Sequence, residues 1–209
     1  MIMKAHYQGR AKGVPSLNSH RVHPRITELL AHLDRERAGL HAAVESVSPA
    51  RREERQAPER WSVAEILEHL VLCERRLTYL VATAVAGARA KGLPAETETT
   101  PVMWTVPVKV FLDRSRKITA AEAVLPRGEL DSAAATKALE STREQLRAAI
   151  VAADGLALAD VVYPHPLLGQ LNMYQWIGFI GSHEARHAAQ IRDLAAEVAV
   201  SQRSPATAD

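Results

Sequence analysis

With a single cysteine, Cys73, among 209 residues, the chain has no second thiol for an internal bridge, which excludes a disulfide-stapled scaffold. That scarcity suits a reducing compartment, and the cytoplasm is the expected location. A dominant charge sign is lacking as well. The 26 basic and 24 acidic side chains leave a formal net charge of +2, too weak a field to imply nucleic acid as a partner. Long apolar runs are missing. The most hydrophobic stretches, Leu77 to Ala88 and Leu171 to Gly181, fall well short of the roughly 20 residues of a membrane-spanning helix. The first thirteen residues are interrupted by Lys4, His6, Arg10 and Lys12, so neither a membrane partner nor an export signal is expected. Aromatic residues make up only 4%, and alternation of apolar with polar residues is almost absent, which argues against a β-rich core.

What is present is helical periodicity. From His23 onward, Ile26, Leu29, Leu30, Leu33, Arg37, Leu40, Val44 and Val47 recur at spacings of three or four, drawing one stripe along a first helix that ends before Pro49. Residues 1–22 carry no such pattern and read as a loose arm, and residues 48–60 as a charged, solvated connection. A second helix opens at Ser62-Val63-Ala64-Glu65, the spacing of a capping box, with Trp61 placed to staple onto Ile66. It runs to about Ala90, with Gly92 as its stop. Residues 93–130 hold Pro94, Pro101, Pro107 and Pro126 and at most a short helix near Val108 to Arg116. A connection that long can return along a bundle, so that the helices on either side of it lie parallel. A third long helix spans about Ser132 to Ala153 before Gly155. The last begins at Asn172 with Gln175 three residues on and Leu171 set to staple Trp176, and runs to about Val198. The predicted fold is all-α, a four-helix bundle over 23–199 with a long crossover between helices two and three and a C-terminal tail at 200–209.

At 100° per residue, Trp176, Ile180, His183, His187, Ile191 and Leu194 share one narrow arc of the last helix. One buried histidine is ordinarily a hydrogen-bonded core residue. Two of them four residues apart on the most apolar arc are different, because burying both without a shared partner is costly. Their Cβ atoms lie about 5 to 6 Å apart, close enough for both rings to reach one ion. His69, on the flank of the second helix's stripe, completes a candidate triad. Three imidazoles leave one position open on a four-coordinate ion, the pattern of catalytic sites. The other histidines fit less well: His6, His20, His23, His32 and His41 read as surface. His165, in Pro164-His165-Pro166, lies where a loop can approach one mouth of the bundle. Cys73, one turn past His69, reads as a small core residue outside the site.

His183-Glu184-Ala185-Arg186-His187 also satisfies the H-E-x-x-H pattern of zinc peptidases, in which the glutamate is general base. That class needs a further ligand downstream. No third histidine follows, Gln190 stands where the extended motif has glycine, and the expected fold lacks the sheet that shapes such clefts.

Two segments, Arg60-Trp61-Ser62-Val63-Ala64-Glu65-Ile66-Leu67-Glu68-His69-Leu70 and His165-Pro166-Leu167-Leu168-Gly169 leading to His183-Glu184-Ala185-Arg186-His187-Ala188-Ala189-Gln190-Ile191, resemble the DinB-like superfamily of metal-binding four-helix bundles. The resemblance covers roughly His23 to Ala199. It implies a histidine triad of His69, His183 and His187 on a divalent metal ion, zinc or nickel. It also implies chemistry with a low-molecular-weight thiol such as mycothiol or bacillithiol, in transfer to an electrophilic small molecule or in isomerisation. Glu184 and His165 are the candidates for handling protons. A metal-bound water acting in hydrolysis, or a non-catalytic bundle stabilised by its metal, are the alternatives. Bundles of this type commonly pair, so a homodimer is expected.

Overall fold

The computed structural model describes residues 22–115 and 118–203, so the arm at 1–21 and the end at 204–209 lie outside the described residues. Four long helices carry the chain: α1 (Pro24–Glu45), α2 (Val63–Ala90), α4 (Ser132–Ala152) and α5 (Met173–Arg203), with the short α3 (Val108–Leu112) inside the crossover. Among the described residues the α-helices thus number five, four of them forming the bundle. The last helix continues past its expected end near Val198, so residues 200–203 belong to α5 rather than to a tail. Among the described residues, no helix is long and apolar enough to cross a membrane.

The start signals act as local chemistry requires. The Ser62 hydroxyl accepts from the Glu65 N–H at 3.1 Å while the Glu65 carboxylate accepts from the Ser62 N–H at 2.8 Å, satisfying two donors that the first turn of α2 leaves free. The Asp131 carboxylate caps α4 through the Ala134 N–H. Ahead of α5, Asn172 and Gln175 exchange the same reciprocal pair, at 2.9 and 3.0 Å. His23, read from sequence as surface, caps α1 by accepting from the Arg25 N–H.

Pairings along the helices fix their directions. Glu74 meets Arg143 and Arg89 meets the Ala152 carbonyl, so α2 and α4 run parallel, as the crossover allows. His32 meets Gly178 and Arg37 meets Glu184, so α1 and α5 are parallel to each other. His69 beside His183 and Arg60 beside Glu197 set α2 antiparallel to α5.

An element the sequence hides is a two-stranded hairpin, β1 (Val162–His165) with β2 (Gly169–Asn172), paired antiparallel in the register Val162 to Asn172 and His165 to Gly169. Its strands have four residues each, and Pro164 removes a donor from one of them. Gly169 turns the chain back with φ of 72°, a backbone conformation that side chains with a Cβ rarely adopt.

The core divides into two apolar clusters. One gathers Ile26, Leu29, Leu33, Val81, Val85, Leu146, Ile150, Tyr174 and Ile177 at the N-terminal ends of α1 and α5. The other gathers Leu40, Val44, Ile66, Leu67, Leu70, Leu139, Ile191 and Leu194 toward the opposite end. Between them lies polar material, and that is where the chemistry sits.

Candidate metal centre

The first polar layer is a ring of alternating charge with one residue from each long helix: Arg37, Glu74, Arg143 and Glu184, all 6% exposed or less. Arg37 reaches Glu184 through Nε at 2.9 Å and Glu74 through Nη2 at 2.9 Å. Arg143 reaches Glu74 through Nε at 2.7 Å, and its Nη2 forms an ion pair with Glu184 Oε2 at 2.8 Å without hydrogen-bond geometry. The remaining guanidinium donors go to backbone: Arg37 Nη1 to the Leu139 carbonyl and Arg143 Nη1 to the Leu33 carbonyl, each at 2.8 Å. Two cations and two anions close on themselves. Burial pushes the Glu184 carboxyl up, and Arg143 and Arg37 offset only part of that rise.

The ring takes up the glutamate of the H-E-x-x-H match. Both Glu184 oxygens face arginines, which makes the side chain a strut of the bundle. His32, expected at the surface, is corrected: it is 3% exposed, with Nε2 3.1 Å from the Gly178 carbonyl. The reason is a pair of glycines in α5. A Cβ at Gly181 would come within 2.5 Å of His32 Nε2, and one at Gly178 within 2.6 Å of a Val106 methyl, so only glycine lets α1 and the crossover seat that closely.

The second layer holds the three histidines read from sequence. His69 is 4% exposed and His187 8%, with His183 partly buried. Ring centroids lie 5.2 Å apart for His69 and His183, 5.0 Å for His69 and His187, and 4.6 Å for His183 and His187. Nε2 of His183 stands 3.4 Å from Nε2 of His69 and 3.2 Å from Nε2 of His187.

Tautomers explain why this matters. His69 Nδ1 lies 2.7 Å from the Val124 carbonyl, an acceptor only, so it must carry the proton. His187 Nδ1 lies 3.0 Å from the Gln190 side-chain oxygen and donates in the same way. Each neutral ring therefore turns a bare Nε2 lone pair inward, the arrangement by which metal-binding histidines are held. Burial lowers all three rings' basicity, bringing His187 down to about 3. For His183, the neighbouring His187 and His69 add to the effect. A proton is thus a poor guest among them. Nitrogens bonded at about 2.0–2.1 Å to a tetrahedral ion stand about 3.3–3.4 Å apart, and the two separations observed fit that edge.

Cys73, kept outside the site on sequence grounds, is brought to it. Its Sγ is 3.6 Å from His69 Nε2, and the donor atoms of His69, Cys73 and His183 all lie within 4.8 Å of one another, a group able to hold a metal ion. The signal was available, since Cys73 follows His69 by the same four residues that separate His183 from His187. Burial pushes the Cys73 thiol up to about 12, so it stays protonated unless a cation lies beside it.

Aromatic rings frame the layer. Trp61 lies 4.9 Å from the His69 ring, and Phe179 stacks on His183 at 5.4 Å. His165, at the end of β1, packs 4.8 Å from Phe179 and 4.9 Å from Trp176, one ring removed from the histidine layer. A small cavity of about 10 Å³, lined by Leu70, Cys73, Glu74, Leu77, Ile180, His183 and Glu184, separates the two polar layers.

A four-helix bundle whose facing helices project donor side chains to one interior point is the architecture of metal-carrying bundle proteins. The chain belongs to the DinB superfamily, whose model matches residues 32–191. It is similar to the uncharacterized protein YuaE of Bacillus subtilis (strain 168), 29% identical over 152 residues that cover 72% of this chain and 87% of that protein. No solved structure matches.

Proposed function

We propose that the protein is a metal-dependent enzyme in which His69, His183 and His187 hold a divalent ion, zinc or nickel, and a low-molecular-weight thiol is activated to transfer its sulfur to an electrophilic small molecule. The observation that carries the reading is the gathering of three imidazoles, with His183 Nε2 3.4 Å from His69 Nε2 and 3.2 Å from His187 Nε2, and with the outer two rings held so that Nε2 is unprotonated. When bound, such an ion stabilises a thiolate at neutral pH, where a free thiol of pKa about 8.5 is mostly protonated.

The chain's own residues prepare this. Val124 and Gln190 hold the two outer rings in the tautomer that leaves Nε2 free. Trp61 and Phe179 cover the imidazoles with apolar faces, which thins water around the nucleophile. His165 accepts at Nδ1 from the Leu167 N–H at 3.1 Å, so its neutral form keeps the proton on Nε2, where it can be given to a departing group. Burial lowers its basicity, which favours that neutral form.

Elemental analysis of the purified protein, followed by turnover assays with electrophiles in the presence and absence of a small thiol, tests the reading. About one equivalent of zinc or nickel and thiol-dependent turnover are expected. Turnover with water alone would identify a hydrolase instead and overturn the transferase assignment.

A further inference from the structure

We infer that Cys73 is a fourth protein donor of this centre, so that the resting chelate is a three-histidine, one-cysteine set closed by the chain itself. The inference rests on the metal reading above and adds to it a ligand from this chain.

The distances carry it. A sulfur bonded at about 2.3 Å and a nitrogen at about 2.0–2.1 Å to the same tetrahedral ion stand about 3.6 Å apart, the separation found between Cys73 Sγ and His69 Nε2. His183 joins the same group of donor atoms. Helix geometry supports it independently. α2 offers donors at 69 and 73 and α5 offers them at 183 and 187, and four residues is the spacing at which neighbours share a helix face. Of the two pairs, His69, Cys73 and His183 have donor atoms within 4.8 Å of one another, and His187 adjoins them through Nε2 of His183 at 3.2 Å. Cys73 stands where apolar Leu70, Leu77 and Ile180 meet the polar layers, with the two ring nitrogens of His69 at 3.6 and 3.8 Å from its sulfur.

The consequence for the proposed reaction is that an incoming thiol competes with a thiol the protein already supplies. The fourth position is soft before any substrate arrives, which suits sulfur better than water.

Cobalt(II) added to the metal-free, full-length protein in thiol-free buffer provides the test. Wild type is expected to show the visible ligand-field bands of tetrahedral cobalt together with sulfur-to-cobalt charge transfer in the near ultraviolet. Cys73→Ser and Cys73→Ala should keep the visible bands and lose the charge transfer, with circular dichroism reporting an intact fold. On wild type itself, cobalt should slow alkylation of Cys73 by iodoacetamide, read by mass spectrometry, which needs no variant to fold. Visible bands without charge transfer in wild type, or charge transfer that survives in both variants, would overturn the role of Cys73 and leave the histidine triad standing. Failure of wild type to bind cobalt would overturn both readings together.

Discussion

Two polar layers lie side by side in the same bundle, built on adjacent residues: Cys73 and Glu74 in α2, His183 and Glu184 in α5. They resolve burial in opposite ways. In the arginine and glutamate ring every charge finds its opposite and the spare guanidinium donors reach carbonyls. In the histidine layer the outward nitrogens of His69 and His187 are satisfied, and their inward lone pairs share a single neighbouring nitrogen, Nε2 of His183. A buried polar cluster that is complete by itself serves the fold. One that turns two lone pairs toward a single nitrogen keeps capacity for a ligand from outside the chain.

The largest effect should come from breaking the complete layer. Removing Arg37 leaves Glu74 and Glu184 buried with a partner missing, a loss of about 3–5 kcal/mol. Urea denaturation of Arg37→Ala should show it, and a stability close to wild type would mean that the ring is not a strut. The histidine layer should behave the other way. His69→Ala is expected to weaken metal binding by more than about 100-fold, beyond what loss of a supporting residue costs, while the metal-free protein unfolds at nearly the wild-type urea concentration. Competition with a chromophoric chelator measures the first and urea the second. A large loss of metal-free stability would show that the ring is needed for packing rather than for a ligand.

Gln190→Ala sharpens the contrast within the second layer. It leaves every proposed ligand in place but frees the His187 ring to turn, so affinity should fall by about 10–100-fold. An unchanged affinity would remove Gln190 from the support of the site.

A further effect is one of pH. His187 is held down at about 3 by burial, against an ordinary 6.5. Between those values the unfolded chain takes up a proton that the folded one refuses. Stability of the metal-free protein should therefore be intact above pH 6.5 and fall as pH drops toward 3, by up to about 1.4 kcal/mol per pH unit for each such histidine. Denaturation of wild type and His187→Ala across that range checks it, and the variant should show the shallower slope.

The two layers were not equally legible in the sequence. The histidines at 183 and 187 declare themselves because their relation is local, four residues on one apolar arc. The capping residues Ser62 and Glu65, and Asn172 and Gln175, are visible for the same reason. Arg37 could be placed on the inner stripe of α1, but its partners come from three other helices at separations of 37 to 147 residues, which no local pattern encodes. His32 misled because what buries it is the absence of side chains at Gly178 and Gly181, far along the chain. The hairpin escaped notice because four-residue strands are too short to show a period.

The crossover, finally, is more than a route between helices. The Val124 carbonyl that orients the His69 ring lies within it, and a few residues on, the N–H groups of Gly128 and Glu129 donate to the carboxylate of Glu68, the residue just before His69. Segment 124–129 is thereby clasped to α2 on both sides of one peptide unit. Any pull on this loop, by a bound molecule or a neighbouring protein, would reach the imidazole as a change in its aim, making the loop a handle on how tightly the proposed centre would grip an ion.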